Sequence, residues 1–397
     1  MQNIVIEKPY VPVPPYHGRI WPRILSLYAP RMLRKKYGVV HIDCINADRL
    51  KQSVAAGHGV LLTPNHCREE DPFVLGSLSR AVGSPFFIMA SWHLFMQDWL
   101  SAFLTRRAGA FSIYREGIDR TSINSAIEIL ETAERPLVIF PEGFISRTND
   151  KLNELLEGSV LIPRTAAKKR AKMQPPGKVV VHPVALRYHF KGNIEAAAAA
   201  VLNDIENRLT WRPQQIPLLD RIYKTGNALL SLKELDYLGQ PYTDELGARL
   251  NRLINSILGP IEDQWLKTRH EDSVPSRVKR LRSAILPDMT AGEIDEAERQ
   301  RRWKQLADLY LAQQLSNYPP DYVHSNPSTE RILETVERFE EDLTDKIRLH
   351  GPLHATITVG EAIEVSPIRE GRGGTDPLME QIEKQLKSML GIEQPKA

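Results

Sequence analysis

A chain of 397 residues has room for two or three domains and a large buried core. Its hydrophobic fraction of 42%, charged fraction of 25% and aromatic fraction of 7% are those of an ordinary globular protein and exclude disorder. Two cysteines, Cys44 and Cys67, are too few for a secreted disulfide framework, so a reducing, intracellular compartment is the default. The net charge of +3 hides an asymmetry: residues 1–190 carry 25 basic and 16 acidic side chains, residues 191–350 carry 22 and 26, and residues 351–397 carry 5 and 7. The positive charge belongs to the N-terminal half, which suits phosphate-bearing partners.

In chain order, Glu7 and Lys8 break the first apolar stretch, so it does not read as an export signal, and Pro9–Tyr16 reads as extended, polyproline-like chain. Nowhere do 18 apolar residues follow one another, which argues against a membrane-spanning helix. Between Ile20 and Tyr37, apolar residues such as Trp21, Ile24, Leu27 and Tyr28 alternate with Arg23, Arg31, Arg34, Lys35 and Lys36. Two readings stand: a helix lying in an anionic membrane surface, or a helix docked on a core, in either case shortened or kinked by Pro22 and Pro30. From Gly38 to Tyr188, β-rich runs (39–42, 60–63, 86–89, 137–140, 179–182) alternate with helical segments near 46–56, 72–82, 92–105, 119–134 and 158–173. That alternation predicts an α/β fold, a mixed and mostly parallel sheet flanked by helices.

After Tyr188 the strand signals cease for about 160 residues. Leu246, Leu250, Leu253, Ile257, Ile261 and Trp265 recur at helical spacing, as do Ile332, Val336, Phe339, Leu343 and Ile347. The expected organisation is an N-terminal extended and amphipathic segment (1–37), an α/β core (38–190), a large helical insertion or second domain (191–350), and a C-terminal strand and helix (351–397) that complete the core. No internal repeat is evident at this level.

Chemistry concentrates in the run Leu61–Pro72, where His66 follows a buried-looking strand and Asp71 comes five positions later. A histidine can take a proton from a hydroxyl near neutral pH, and a carboxylate on its other ring nitrogen fixes the tautomer. Three further runs follow in order: Gly109–Arg115, Phe140–Arg147 and Val181–Leu186. Together the four resemble the ordered motifs of the glycerolipid acyltransferase family, whose members acylate glycerol 3-phosphate or lysophosphatidate, over roughly residues 57–188. The segment 356–365 looks like the strand that closes that family's domain, whereas residues 190–350 resemble nothing in it.

The resemblance implies that His66 is the catalytic base and Asp71 its orienting carboxylate. Arg115 would contact phosphate, which a guanidinium engages in bidentate fashion. Glu142, Gly143 and Ser146 would bind the acceptor, and Pro183 and Val184 would pack around the site and the acyl donor. One departure stands out: Phe144 and Ile145 replace a frequent Thr-Arg pair, removing a cation and leaving room for an unusual acceptor. The implied activity is that of a membrane-associated O-acyltransferase, cytoplasmic and peripheral. It would move a fatty acyl group from acyl-CoA or acyl carrier protein to a lysophospholipid hydroxyl, with no cofactor and no metal.

Competing readings are a lipid hydrolase or transacylase that uses His66 with another nucleophile, Cys67 being the tempting candidate, and a non-catalytic lipid-binding or interaction protein on the same scaffold. Adjacent side chains of extended chain point to opposite faces, which places Cys67 badly for activation by His66. Arg164, Lys168, Lys169, Arg170 and Lys172 form a basic helix candidate, either a solvated face or an attractor for coenzyme A phosphates, acidic carrier protein or anionic lipid. No reader motif accompanies the charge, so nucleic acid is not expected. The aromatic- and methionine-rich stretch 84–111 reads as core, acyl-chain trough or membrane-facing surface.

Overall fold

The computed structural model describes residues 8–212, 215–269, 271–318, 321–346, 348–368 and 375–392. The chain divides into two compact units: Tyr10–Lys191 together with the chain from Gly351 onward, and Gly192–His350.

The first unit is α/β. Its elements in order are α1 (Ile20–Tyr37), β1 (Val39–Ile45), α2 (Ala47–Ala55), β2 (Gly59–Pro64), α3 (Asp71–Val82), β3 (Phe87–Ser91), α4 (Trp99–Arg107), β4 (Ala110–Ile113), α5 (Arg120–Thr132), β5 (Leu137–Val138), α6 (Gly158–Arg170) and β6 (Val179–Phe190). After the second unit come β7 (Leu353–Val359), β8 (Ile363–Glu364) and α13 (Pro377–Leu390). The sheet order is β1-β7-β6-β2-β5-β3-β4, with β8 also on β6; the β6–β7 and β6–β8 pairings are antiparallel and the others parallel. A parallel strand covered on both faces has no polar side, which is why β2 is buried at every position. Helices α5, α6 and α13 close one face through Leu130, Ala166 and Ile382 against Leu61, Phe87 and Val181.

Proline would normally be excluded from a central strand, because it cannot donate to the ladder. Pro183 is accommodated in β6 because its nitrogen faces the gap where β7 has ended at Val359 and β8 has not begun. Its carbonyl accepts from Gly360 N at 2.8 Å across the same gap.

Local physics altered three expectations. The helix expected over 92–105 is split into a 3₁₀ turn at Trp92–Phe95 and α4, because the Asp98 carboxylate accepts from Ser101 N and starts a new helix. β5 stops at Val138, two residues short, where Pro141 turns the chain toward the site. α1 runs unbroken through both prolines: Pro22 lies in the first turn, where no N–H is needed, and Pro30 removes one hydrogen bond only.

The second unit is helical: α7 (Ile194–Arg208), α8 (Leu218–Leu238), α9 (Leu246–Trp265), α10 (Val274–Ala291), α11 (Glu296–Ser316) and α12 (Thr329–Thr344). The expected stripes lie on α9 and α12, except for Ile347, which is outside the described residues. The expectation of no internal repeat is overturned here. Helices α8, α9 and α10 begin 28 residues apart, at Leu218, Leu246 and Val274. Glu206, Glu234 and Glu262 keep the same interval, as do Arg221, Arg249 and Arg277.

Each arginine, in the first turn of its helix, reaches back to the glutamate near the end of the preceding helix. Nε and Nη2 donate to the two carboxylate oxygens at 3.0 and 2.9 Å for Arg221, 2.9 and 2.7 Å for Arg249, and 2.8 and 2.8 Å for Arg277. An asparagine one turn before each glutamate or earlier (Asn203, Asn227, Asn255) accepts another guanidinium N–H. Buried apolar positions follow the same interval: Ile222, Leu250 and Val278, and Leu230, Leu258 and Leu286. Helices α7 to α10 thus form a short tandem array in which a buried ion pair clamps each to the next. The signal is faint in the sequence because the linkers differ and the fixed positions are few.

Candidate active site

Strands β2, β5, β3 and β4 are parallel neighbours, so their carboxyl ends share one edge of the sheet, where open α/β sheets place ligands. His66 follows β2, Glu142 follows β5 and Arg115 follows β4. The topology, which the linear motifs do not show, brings three separated runs to one edge.

His66 Nδ1 lies 2.8 Å from Asp71 Oδ2. The fully buried Asp71 carboxylate also accepts from the backbone N–H groups of Cys67 and Arg68 at 2.8 and 3.0 Å, and from the Tyr188 hydroxyl at 2.6 Å. It stands at the start of α3, where the helix dipole favours negative charge. A carboxylate that already accepts from three other donors favours Nδ1 as a donor, which leaves Nε2 as the acceptor nitrogen of the ring. Phe140 stacks on the imidazole at 4.0 Å between centroids, fixing the ring plane.

Glu142 is buried, and its oxygens are engaged by the chain itself: Oε1 accepts from His66 N at 2.9 Å, and Oε2 from Asn153 N and Nδ2 at 2.9 and 2.7 Å. Burial pushes its carboxyl up, with these donors pulling the other way. In this geometry Glu142 is a positioning residue that ties the β5 loop to the backbone of His66. Ser146 acts similarly: its N–H donates to His66 O at 2.7 Å, and its buried hydroxyl donates to Thr148 O at 3.2 Å. Gly143 has φ +74°, a left-handed backbone that favours glycine, and a Cβ there would also displace the end of the Leu156 side chain, 2.5 Å away at Cδ1. The same imagined Cβ lies 4.0 Å from Arg115 Nη2, which places that guanidinium over the Gly143 turn.

Pro183 and Val184 pair in register with Thr63 and Pro64 of β2 and are buried, so they support the strand that delivers His66. Cys67 is also buried, with Sγ directed at Asp71 Oδ1 and Leu186 O. Of the expected basic helix, Arg164 pairs with Asp376 at 2.8 Å, Lys169 pairs with Glu131 at 2.7 Å, and the buried Arg170 donates to the carbonyls of Glu131 and Gly57. Structural ties, more than a free positive face, account for this cluster.

Three residues at the site went unnoticed in the sequence. Tyr188 clamps Asp71, and burial beside that carboxylate drives its phenol well above the usual range, so it remains a proton donor to Asp71. Asn65 and Asn149 each exchange two hydrogen bonds with the β6 backbone, at Leu186 (2.7 and 3.0 Å) and Tyr188 (both 2.8 Å). The twelve-residue β6 outruns the six-residue β2, and these amides replace the missing strand. We expect Tyr188→Phe to cost about 1–3 kcal/mol in urea unfolding, since it leaves a buried carboxylate oxygen short of its donor, and to lower turnover as the imidazole loosens. An unchanged midpoint and unchanged turnover would show that the clamp is dispensable.

The fold and the site define an α/β core with a carboxylate-held histidine at the carboxyl ends of its parallel strands. Residues 41–187 match the model of the Acyltransferase family, from within β1 to the residue before Tyr188. That family-level homology supports acyl transfer as the general chemistry of this unit. No curated protein matches the chain.

Proposed function

We propose that the protein is a membrane-associated O-acyltransferase that moves a fatty acyl group from acyl-CoA or acyl carrier protein to a hydroxyl of a lysophospholipid such as lysophosphatidate, at the cytoplasmic membrane face. The observation that carries this reading is the buried Asp71 clamping His66 Nδ1 within a stretch homologous to acyltransferases. The Nε2 of His66 takes the proton of the acceptor hydroxyl as its oxygen attacks the thioester carbonyl carbon. The tetrahedral intermediate collapses with breakage of the C–S bond, and the departing thiolate receives the proton from the imidazolium. Both substrates are held together, so orientation supplies much of the rate and no acyl-enzyme is needed.

Arg115 above the Gly143 turn supplies a cation for the acceptor phosphate. The cation absent at Phe144-Ile145 has a neighbour in Arg147, which takes a left-handed backbone with φ +59° and pairs with Glu69 at 3.1 Å. Among the described residues no helix is long and apolar enough to cross a membrane.

The test is transfer of a labelled acyl group by the full chain, from acyl-CoA and from acyl carrier protein, to lysophosphatidate, lysophosphatidylcholine and glycerol 3-phosphate. Product with a phosphate-bearing lysolipid is expected. Folded protein that acylates none of the panel, or only hydrolyses the thioester, would sink the reading.

A further inference from the structure

The α/β unit carries an apolar surface that its fold leaves uncovered. Helix α1 has two apolar faces. One, with Pro22 and Leu33, is buried in the unit; the other exposes Ile20 (72%), Leu27 (70%) and Tyr28 (67%), together with Ile24. None of the nine residues of α4 is buried, and it exposes Trp99 (79%), Leu100 and Phe103. The Trp21 ring meets the Phe103 ring edge-on at 5.6 Å, which joins the two helices on one side of the unit. Beside α4 opens a hollow of about 380 Å³, with Val13, Phe95, Trp99 and Phe103 as apolar walls and Arg106 and Arg107 among its lining.

Charge identifies the occupant. The 18 residues of α1 and 9 of α4 hold seven arginines and lysines and not one aspartate or glutamate. Exposed aliphatic side chains, a tryptophan and a tyrosine with polar tips, and a wholly basic set of charges are the composition of a surface seated in the headgroup region of an anionic bilayer. We propose that the exposed faces of α1 and α4 form one membrane-docking surface, with Trp99 and Leu27 entering the acyl boundary and the arginines meeting lipid phosphates. The two readings of α1 are therefore not exclusive: one face docks on the core, the other on lipid. The choice of a bilayer as occupant rests on the lipid-acceptor reading above.

The test uses flotation of the full chain with vesicles of phosphatidylcholine, with and without phosphatidylglycerol. Trp99→Ala/Leu100→Ala and Ile20→Ala/Leu27→Ala remove only exposed side chains and should each lower partitioning onto anionic vesicles by about tenfold or more. Arg31→Gln/Arg34→Gln/Lys35→Gln should do so on anionic vesicles at low salt and have little effect at high salt. Brominated lipid should quench wild-type tryptophan fluorescence more than that of Trp99→Phe. Flotation unchanged by both apolar pairs would overturn the proposal. So would unchanged flotation accompanied by a fall in sedimentation coefficient, which would assign the surface to a second copy of the chain. Flotation reads docking without catalysis: if wild type floats but transfers no acyl group, docking stands and the acyltransferase reading fails. Transfer to detergent-dispersed lysolipid should survive in the surface variants.

Discussion

Replacing His66 with alanine should lower kcat for acyl transfer by about 10³-fold, within the range attributed to a positioned general base, while far-UV circular dichroism and the unfolding midpoint stay near wild type. The fold should tolerate the change because the tertiary ties of this segment run mainly through its backbone. Glu142 accepts from His66 N, Ser146 N donates to His66 O, and Asp71 keeps its bonds from Cys67 N, Arg68 N and Tyr188. The losses are the proton acceptor, the Nδ1 hydrogen bond to Asp71, which keeps its three other donors, and the Phe140 stacking partner. Asp71→Asn is the informative companion: its amide oxygen in the Oδ2 position can still accept from His66 Nδ1, Cys67 N and Arg68 N, but its NH2 then faces the Tyr188 hydroxyl and the negative charge beside the imidazole is gone, so turnover and stability should both fall. Full transfer by a folded His66→Ala protein would place the base elsewhere.

Arg249→Met should destabilise the full chain by about 3–5 kcal/mol, because it strands the Glu234 carboxylate in the interior, whereas Arg249→Met with Glu234→Leu should recover most of that loss. Glu234 is 0% exposed and Arg249 4%, and the guanidinium donates to Glu234, Asn227 and Ser231. Desolvation of two charges nearly cancels their attraction, so the pair adds little net stability, but removal of one partner leaves an uncompensated charge. The same contrast should appear at Arg277 and Glu262, which share the geometry. Urea unfolding of singles and doubles measures it. Equal losses for Arg249→Met and for the double variant would mean that packing, not the ion pair, joins these helices.

Much of the α/β unit was legible in one dimension. Buried strands without a polar face, such as β2, and apolar stripes such as that of α9 announce themselves because burial on two sides or along one stripe constrains every residue locally. His66 and Asp71 were legible for a related reason, since five positions suffice for the histidine to meet the first residue of the next helix. Glu142 was legible as a site residue but not in its role, because its partners, His66 N and Asn153, lie 76 and 11 positions away. Tyr188 and Asn149 carried no signal, since a tyrosine in a strand and an asparagine in a loop are ordinary until β6 is seen to outrun β2.

By itself the sequence determined the alternation of strands and helices, the long helical block, the pairing of His66 with Asp71, and the basic character of the N-terminal half, all properties carried by neighbouring residues or by composition. The tertiary structure alone decided which carboxyl ends lie side by side, that Glu142 and Ser146 hold the His66 backbone, that Glu206, Glu234 and Glu262 pair with Arg221, Arg249 and Arg277, and which faces of α1 and α4 stay uncovered. Hydrogen bonds and burial join groups that are close in space at any separation along the chain, so no local pattern encodes them.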